Sequence, residues 1–285
     1  QLTDTVMPVE QPSGALKLSA SPSVLADGEV RHVGEPVACV IAKTAYAAED
    51  AAALVDASYD TLPVSADYLS AIKEGSPKAH TGFDDNIVAG FKLAYGEIEG
   101  AFTRAAHVFR EALNQHKGLG HAMECRGVAA WLDDRDRRLT VWSGTQMAHR
   151  AQSILVQMLD LPEDRIRVVT PHVGGGFGPK FVFYQEEVVV PLAAMMLNRP
   201  VKWVEDRREN FLATNMERDQ YWDMQIAVDA DGKLLGVRGG MIHDTGAYMP
   251  WGIITPYISA TTLPGPYVLP TYELETRVAL TNKVA

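Results

Sequence analysis

Between residues 138 and 160 the apolar positions change period. "RLTVWSG" (138–144) alternates apolar and polar, as a half-buried strand does, whereas Met147, Ala151, Ile154, Leu155 and Met158 recur at helical spacing. A strand followed by a one-faced helix over 146–160 is therefore predicted. Upstream, "EIEGAFTRA" reads as a short helix, and "HVFREALN" and "GVAAWLD" read as strands. "DDRDRR" (133–138) is a solvated hairpin turn between two of these strands. Downstream come a strand "IRVVTPHV", a glycine loop, a helix around "YQEEVVVPLAAMMLNR" interrupted by Pro191, and a strand "PVKWVED". From about Asp219 the pattern is that of antiparallel β, with a hairpin turn at Asp231-Gly232.

The first quarter reads differently. Residues 1–28 are rich in Pro, Ser and Gly and predict a loop-like lead-in. "EPVACVIA", "AYAAEDAAALVDAS" and "YDTLPVSAD" predict a small β-α-β unit over 29–66, with Thr44 capping its helix. Residues 67–98 carry several turn formers and read as loop. The expectation is a mixed α/β (α+β) chain: a small α/β unit with lead-in and linker over 1–80, then a larger domain over 81–285.

Charge and cysteine content narrow the function classes. Net charge is −10 with no stripe of Lys or Arg, which argues against nucleic acid or an anionic membrane as partner. No apolar run reaches the roughly 18–20 residues of a membrane span. Cys39 and Cys125 form no CxxC pair, so a disulfide framework or a cysteine-bound cluster is not expected within this chain, and a reducing, cytoplasmic setting is.

Candidate chemistry concentrates in "VTPHVGGGFGPKF" (169–181). Glycine loses much backbone entropy on folding, so four of them around Phe177 need a geometric reason. A strand, a glycine loop and a helix in succession can bind phosphate. The P-loop pattern fails, because Lys180 follows Pro179 and precedes Phe181 rather than Ser or Thr. The dinucleotide pattern fails too, with Pro179 at its third glycine position. Taken alone, the loop is equally a phosphate site or a tight packing turn. Lys180 meets a phosphate, caps a carbonyl or forms an ion pair; Glu124 and Arg126 in "MECRG" read as a framework pair. His121, His149 and His172 lack metal-ligand spacing.

Three stretches together, "HAMECRGVAAW" (121–131), "LTVWSGTQMAHRAQ" (139–152) and "RIRVVTPHVGGGFGPK" (165–180), resemble the molybdenum-binding subunit of the xanthine dehydrogenase and aldehyde oxidase family, which includes carbon monoxide dehydrogenase large subunits. "RPVKWVEDRRENFLATN" (199–215) and "LPGPYVLPTYELETRVALTNK" (263–283) match as well, and 33–67 is similar to the family's α/β hammerhead domain. The resemblance implies a partial hammerhead domain followed by the first molybdenum-cofactor-binding domain. It implies that Gly175, Gly176, Phe177 and Gly178 lie against molybdopterin. It also implies that a glutamine 31 positions before the loop phenylalanine, here Gln146, hydrogen-bonds an oxygen on the metal.

The implied reaction is oxidation of an aldehyde or N-heterocycle carbon with water as oxygen source. Molybdenum-molybdopterin, in its cytosine dinucleotide form, is the implied cofactor. Electrons are expected to pass to an iron–sulfur subunit and an FAD subunit, beside the remaining molybdenum-binding domain or subunit. Phe181 stands where xanthine-oxidising members carry a glutamate, which speaks against a xanthine-type substrate. The family's arginine-containing "RGAGRPQ"-like segment and base glutamate have no counterpart here, so the chain is expected to be inactive alone.

Overall fold

A computed structural model describes residues 20–285, so most of the lead-in lies outside the described residues. In chain order the elements are α1 (Ala45–Ala52), α2 (Tyr68–Ala71), β1 (Ile87–Tyr95), α3 (Ile98–Arg104), β2 (His107–Gly118), β3 (Gly127–Leu132) and β4 (Leu139–Ser143). They continue as α4 (Ala148–Leu159), β5 (Ile166–Val169), α5 (Glu186–Leu197), β6 (Val201–Val204), α6 (Arg207–Ala213), β7 (Glu217–Val228), β8 (Leu234–Asp244), α7 (Ile254–Thr262) and β9 (Tyr272–Ala279). None of these helices is long and apolar enough to cross a membrane.

The strands form two sheets. One has the order β1-β9-β8-β7-β2, the other β5-β4-β3-β6. In the five-stranded sheet the alternation of β7, β8 and β9 buries Trp222, Met224, Met241, Leu274 and Val278 in one core. The β7–β8 hairpin turns at Gly232, whose φ of 79° is the left-handed conformation that glycine supplies without a steric penalty. In the four-stranded sheet Val128, Ala130, Val141 and Ile166 pack against Leu155 of α4 and Val188, Val190 and Ala194 of α5. α5 is apolar nearly all round and carries Pro191 inside it. β3 and β4 join through the "DDRDRR" turn, where the Asp133 N–H donates to the Arg138 carbonyl.

The β4–β5 pairing is the one that positions a site. These strands run parallel, in register from Leu139↔Ile166 to Trp142↔Val169, with α4 as the crossover between them. Parallel pairing with a crossover puts both carboxyl ends at one sheet edge, so the chain leaving β4 and the chain leaving β5 emerge side by side.

Several expectations are corrected. Neither "EPVACVIA" nor "YDTLPVSAD" forms a strand: no ladder partner lies beside them among the described residues, and Val37, Ile41, Tyr59, Leu62 and Val64 are exposed. α1 does form, with Thr44 Oγ1 accepting from the Ala47 N–H, but it ends at Ala52, short of the expected run, and buries no side chain. The segment read as loop holds a nine-residue strand, β1, whose Val88, Ala89 and Phe91 enter the first core. The last third is not wholly antiparallel: β9 runs parallel to β8, because the crossover 245–271 carries α7. Pro256 sits in the first turn of α7, where its missing N–H costs little.

Candidate functional site

Gln146 stands three residues beyond β4 and two before α4. Its main-chain N–H donates to the Lys180 carbonyl at 2.8 Å. Its side-chain Oε1 accepts from the Gly178 N–H at 3.1 Å. The two ends of the β4–β5 edge are thus tied to each other through Gln146 on one side and Gly178 and Lys180 on the other. With Oε1 so engaged, Gln146 Nε2 is a donor without a partner among the described residues.

Each loop residue has its own constraint. A Cβ on Gly176 would lie 2.5 Å from Gln146 Cδ and Oε1, so only a glycine leaves the glutamine head where it stands. Gly175 has φ +101°, and a Cβ there would lie 2.8 Å from the Phe177 ring. Phe177 has φ 54°, an uncommon conformation for a residue with a Cβ, and its side chain is 71% exposed. Gly178 has φ +97° and faces open space. Among the described residues no group accepts from the main-chain N–H of Gly175, Gly176 or Phe177. Three backbone donors, an exposed ring and Gln146 Nε2 are therefore left without partners among the described residues around this bare turn.

A strap formed by residues 119–125 crosses the loop. A Cβ on Gly120 would lie 2.8 Å from that of Phe177, and the Ala122 methyl lies under Gly175. Glu124 binds Gly174 both ways, its N–H donating to the Gly174 carbonyl at 3.4 Å and its Oε2 accepting from the Gly174 N–H. Lys180 turns inward: it is 4% exposed, with Nζ 3.7 Å from Glu124 Oε2. Of the roles weighed for Lys180, the ion pair is the one that its side chain adopts, while its carbonyl is capped by Gln146.

Glu124 and Arg126 are not a pair. Arg126 is buried and donates from Nε and Nη2 to Glu205 Oε1 at 3.0 and 2.6 Å, with Nη1 3.1 Å from Glu186. Its guanidinium also lies 3.6 Å from the Tyr184 ring centroid. Asn210 and Thr214 donate to the same Glu205 carboxylate. Burial pushes the Arg126 pKa down, but the carboxylates of Glu186 and Glu205 outweigh it and hold the guanidinium above its usual range. This cluster joins the start of β3 to α5 and to the end of β6, fixing the floor beneath the site. Sequence reading missed Glu186, Glu187 and Glu205; their one signal was acidic residues inside otherwise apolar runs. Glu187 accepts from the Ser143 hydroxyl at 2.7 Å and the Tyr184 N–H at 3.0 Å, yet burial raises its pKa to about 7.

No cluster of three or more His, Cys, Asp or Glu side chains suited to a metal ion occurs among the described residues. His121 instead packs edge-on against Phe211. The donor set at the loop fits a group that presents acceptor atoms to amide N–H groups. A cleft of about 1710 Å³ lies between residues 34–57 and the faces of α5 and β6; Met147, Arg150 and Phe181 reach its wall. Phe181 stacks on Trp251 with ring centroids 5.2 Å apart.

Residues 79–285 match the family model of the molybdopterin cofactor-binding domain. Residues 3–63 match that of the aldehyde oxidase and xanthine dehydrogenase a/b hammerhead domain. The chain is 38% identical over 264 residues to the nicotine 6-hydroxylase large subunit of Paenarthrobacter nicotinovorans, covering 91% of this chain and 32% of that protein. It is 33% identical over 239 residues to the carbon monoxide dehydrogenase large chain of Afipia carboxidovorans, covering 79% and 30%. Among solved structures it superposes on quinoline 2-oxidoreductase from Pseudomonas putida 86 with a TM-score of 0.87 at 34% identity, covering 92% of this chain and 34% of that one. The chain therefore spans about a third of the length of these relatives.

Proposed function

The chain belongs to the molybdopterin cofactor-binding domain family, and on that premise we propose that Gln146 and the Gly175–Gly178 loop hold one face of a molybdopterin cofactor. The observation that carries this reading is the meeting of Gln146 Oε1 with the Gly178 N–H beside three unpaired loop amides. When bound, the cofactor supplies the oxidation of a substrate carbon with oxygen from water. The chain's share is orientation and electrostatics. The N–H groups of Gly175, Gly176 and Phe177 present donors to its polar edge, and the Phe177 ring covers its flank. Gln146 Nε2 donates toward an oxygen of the group, its direction fixed by the Oε1–Gly178 bond. The Lys180 carbonyl holds the Gln146 main chain in place.

In this reading the chain is part of a molybdenum hydroxylase large subunit: a partial hammerhead domain over 1–80 and the first cofactor-binding domain over 81–285. Its substrate is an aldehyde or N-heterocycle, and relatives named for nicotine and quinoline favour the heterocycle. The cofactor is the cytosine dinucleotide form, and electrons pass to iron–sulfur and FAD subunits in the cytoplasm. The nearest carboxylate to the loop, Glu124, is taken up by Gly174 and Lys180, so it does not serve as proton acceptor. The acceptor belongs to the remaining molybdenum-binding part, and this chain alone does not turn over.

The rival phosphate-loop reading is disfavoured by two features. Lys180 points into the protein, and the loop runs into a three-residue turn, Pro179–Phe181, with α5 beginning only at Glu186, so no long helix presents its N-terminus to the loop. The test is Gln146→Ala in the assembled enzyme. Molybdenum and pterin content should fall, or turnover slow, with an unchanged circular dichroism spectrum. Wild-type content together with wild-type turnover would show that the loop is a packing turn.

A further inference from the structure

The two ends of the glycine loop are joined by an ionic tie, and we propose that Glu124 and Lys180 are positioning residues that set the loop against Gln146. The inference rests on the reading above only where it concerns the cofactor; the positioning itself stands on geometry. Gly174 opens the loop and Lys180 follows its end. Glu124 holds Gly174 by its own N–H and by Oε2, and the same Oε2 lies 3.7 Å from Lys180 Nζ. The Lys180 carbonyl accepts from the Gln146 N–H at 2.8 Å and from the Thr145 hydroxyl at 3.3 Å. Gln146 Oε1 then returns to Gly178. The bonds run Gly174, Glu124, Lys180, Gln146, Gly178, and the loop backbone closes the ring.

Lys180 is not there for solvent. It is 4% exposed, and Nζ has no hydrogen-bond acceptor among the described residues. Glu124 is the carboxylate that balances it, and its own side chain is 43% exposed. The pair rests on the chain leaving β4: a Cβ on Gly144 would lie 3.8 Å from Glu124 Oε1 and 4.0 Å from Lys180 Nζ. Its removal therefore takes away the side-chain link between the two ends of the loop and leaves only the main-chain bonds of Glu124 to Gly174 and of Lys180 to Gln146. Neither residue is taken to touch cofactor or substrate; both act through Gly174 and Gln146.

The experiment is hydrogen exchange by mass spectrometry on the assembled complex, prepared from cells that make no pterin so that cofactor protection does not enter. Glu124→Gln, Lys180→Met and the double variant are compared with wild type. Each single variant should raise exchange of the hydrogen-bonded Gly174 and Gly178 amides by at least about tenfold, while the β7–β8 hairpin stays protected. The double variant should remain within about threefold of the singles, because all three lack the same tie. A double variant that regains wild-type exchange would show that only an uncompensated charge was at work, and the proposal would be overturned. Unchanged loop exchange in both singles would overturn it as well. Pterin content in cofactor-competent cells separates the two readings: a loosened loop with full pterin content leaves the tie standing and defeats the cofactor site.

Discussion

Gly176→Ala separates the site from the fold. The new Cβ would lie 2.5 Å from Gln146 Cδ and Oε1 and 2.8 Å from Cγ. Carbon atoms in contact prefer about 3.5–4.0 Å, so one partner must move by about 1 Å or more. The movable one is the glutamine head, the far end of a flexible side chain on an exposed residue. Its displacement breaks the Oε1–Gly178 bond, a loss of about 0.5–1.5 kcal/mol. The backbone of Gly176 is outside the left-handed region, so Ala is tolerated there and stiffens the unfolded chain by about 0.4–1 kcal/mol. These nearly cancel, and the thermal midpoint should stay within about 4 °C of wild type. Cofactor loading should nevertheless drop as it does in Gln146→Ala, and the double variant should lose no more than either single. Metal analysis of the assembled enzyme beside a melting curve reads both quantities. Full molybdenum content in Gly176→Ala, or a stability loss above about 3 kcal/mol, would refute the reasoning.

Two further changes probe the floor of the site. Arg126→Met strands Glu205 and Glu186 without their cation and should cost about 3–5 kcal/mol, read as a lowered urea midpoint; a cost below 1 kcal/mol would show the cluster to be solvated. Glu187 has its pKa raised by burial from 4.5 to about 7, so between these values the folded state binds more protons than the unfolded one, and stability falls as pH rises through that window, by about 3 kcal/mol. Glu187→Gln should remove that slope, and identical pH profiles for variant and wild type would contradict it. Burial of His243, which lowers its pKa from 6.5 to about 4, works in the opposite sense: stability rises from about pH 4 to 6.5 and is lost on acidification, but wild type and Glu187→Gln share this contribution, so it cancels in their difference.

How much of this was legible depended on what each signal needed. The period change at 138–160 needed only neighbours in sequence, and β4 and α4 lie within two residues of the expected bounds. Gln146, nominated through the family resemblance, stands beside Gly176 and Gly178, since a parallel pair with a helical crossover returns its strand ends to one edge. Strand identity for 35–42 was not legible, because "EPVACVIA" has the composition of a strand but no ladder beside it among the described residues. β1 was hidden by the turn formers before it, which outweighed the apolar run "IVAGFKLAY". The partners of Arg126 were out of reach, because Glu186 and Glu205 come to it from 60 and 79 positions away, and an acidic residue inside an apolar run does not say which cation it meets.

The glycines themselves admit a sharper account than ligand approach alone. Gly174 is bare because Glu124 occupies the space of its side chain, Gly175 because Phe177 does, and Gly176 because Gln146 does. Gly178 alone faces open space, and there it is the backbone angle that requires glycine. A run of glycine after a strand is therefore weak evidence of a binding site, since three of these four are accounted for by packing within the chain. What points outward is the residue set that packing leaves over: three amide donors, an exposed phenylalanine at positive φ and one glutamine N–H pair. These are held by bonds the chain makes to itself, through Glu124, Lys180 and Gln146. A site organised in this way before its ligand arrives spends little of the binding free energy on ordering. That is the physical advantage of tying a bare loop to its neighbours instead of leaving it free.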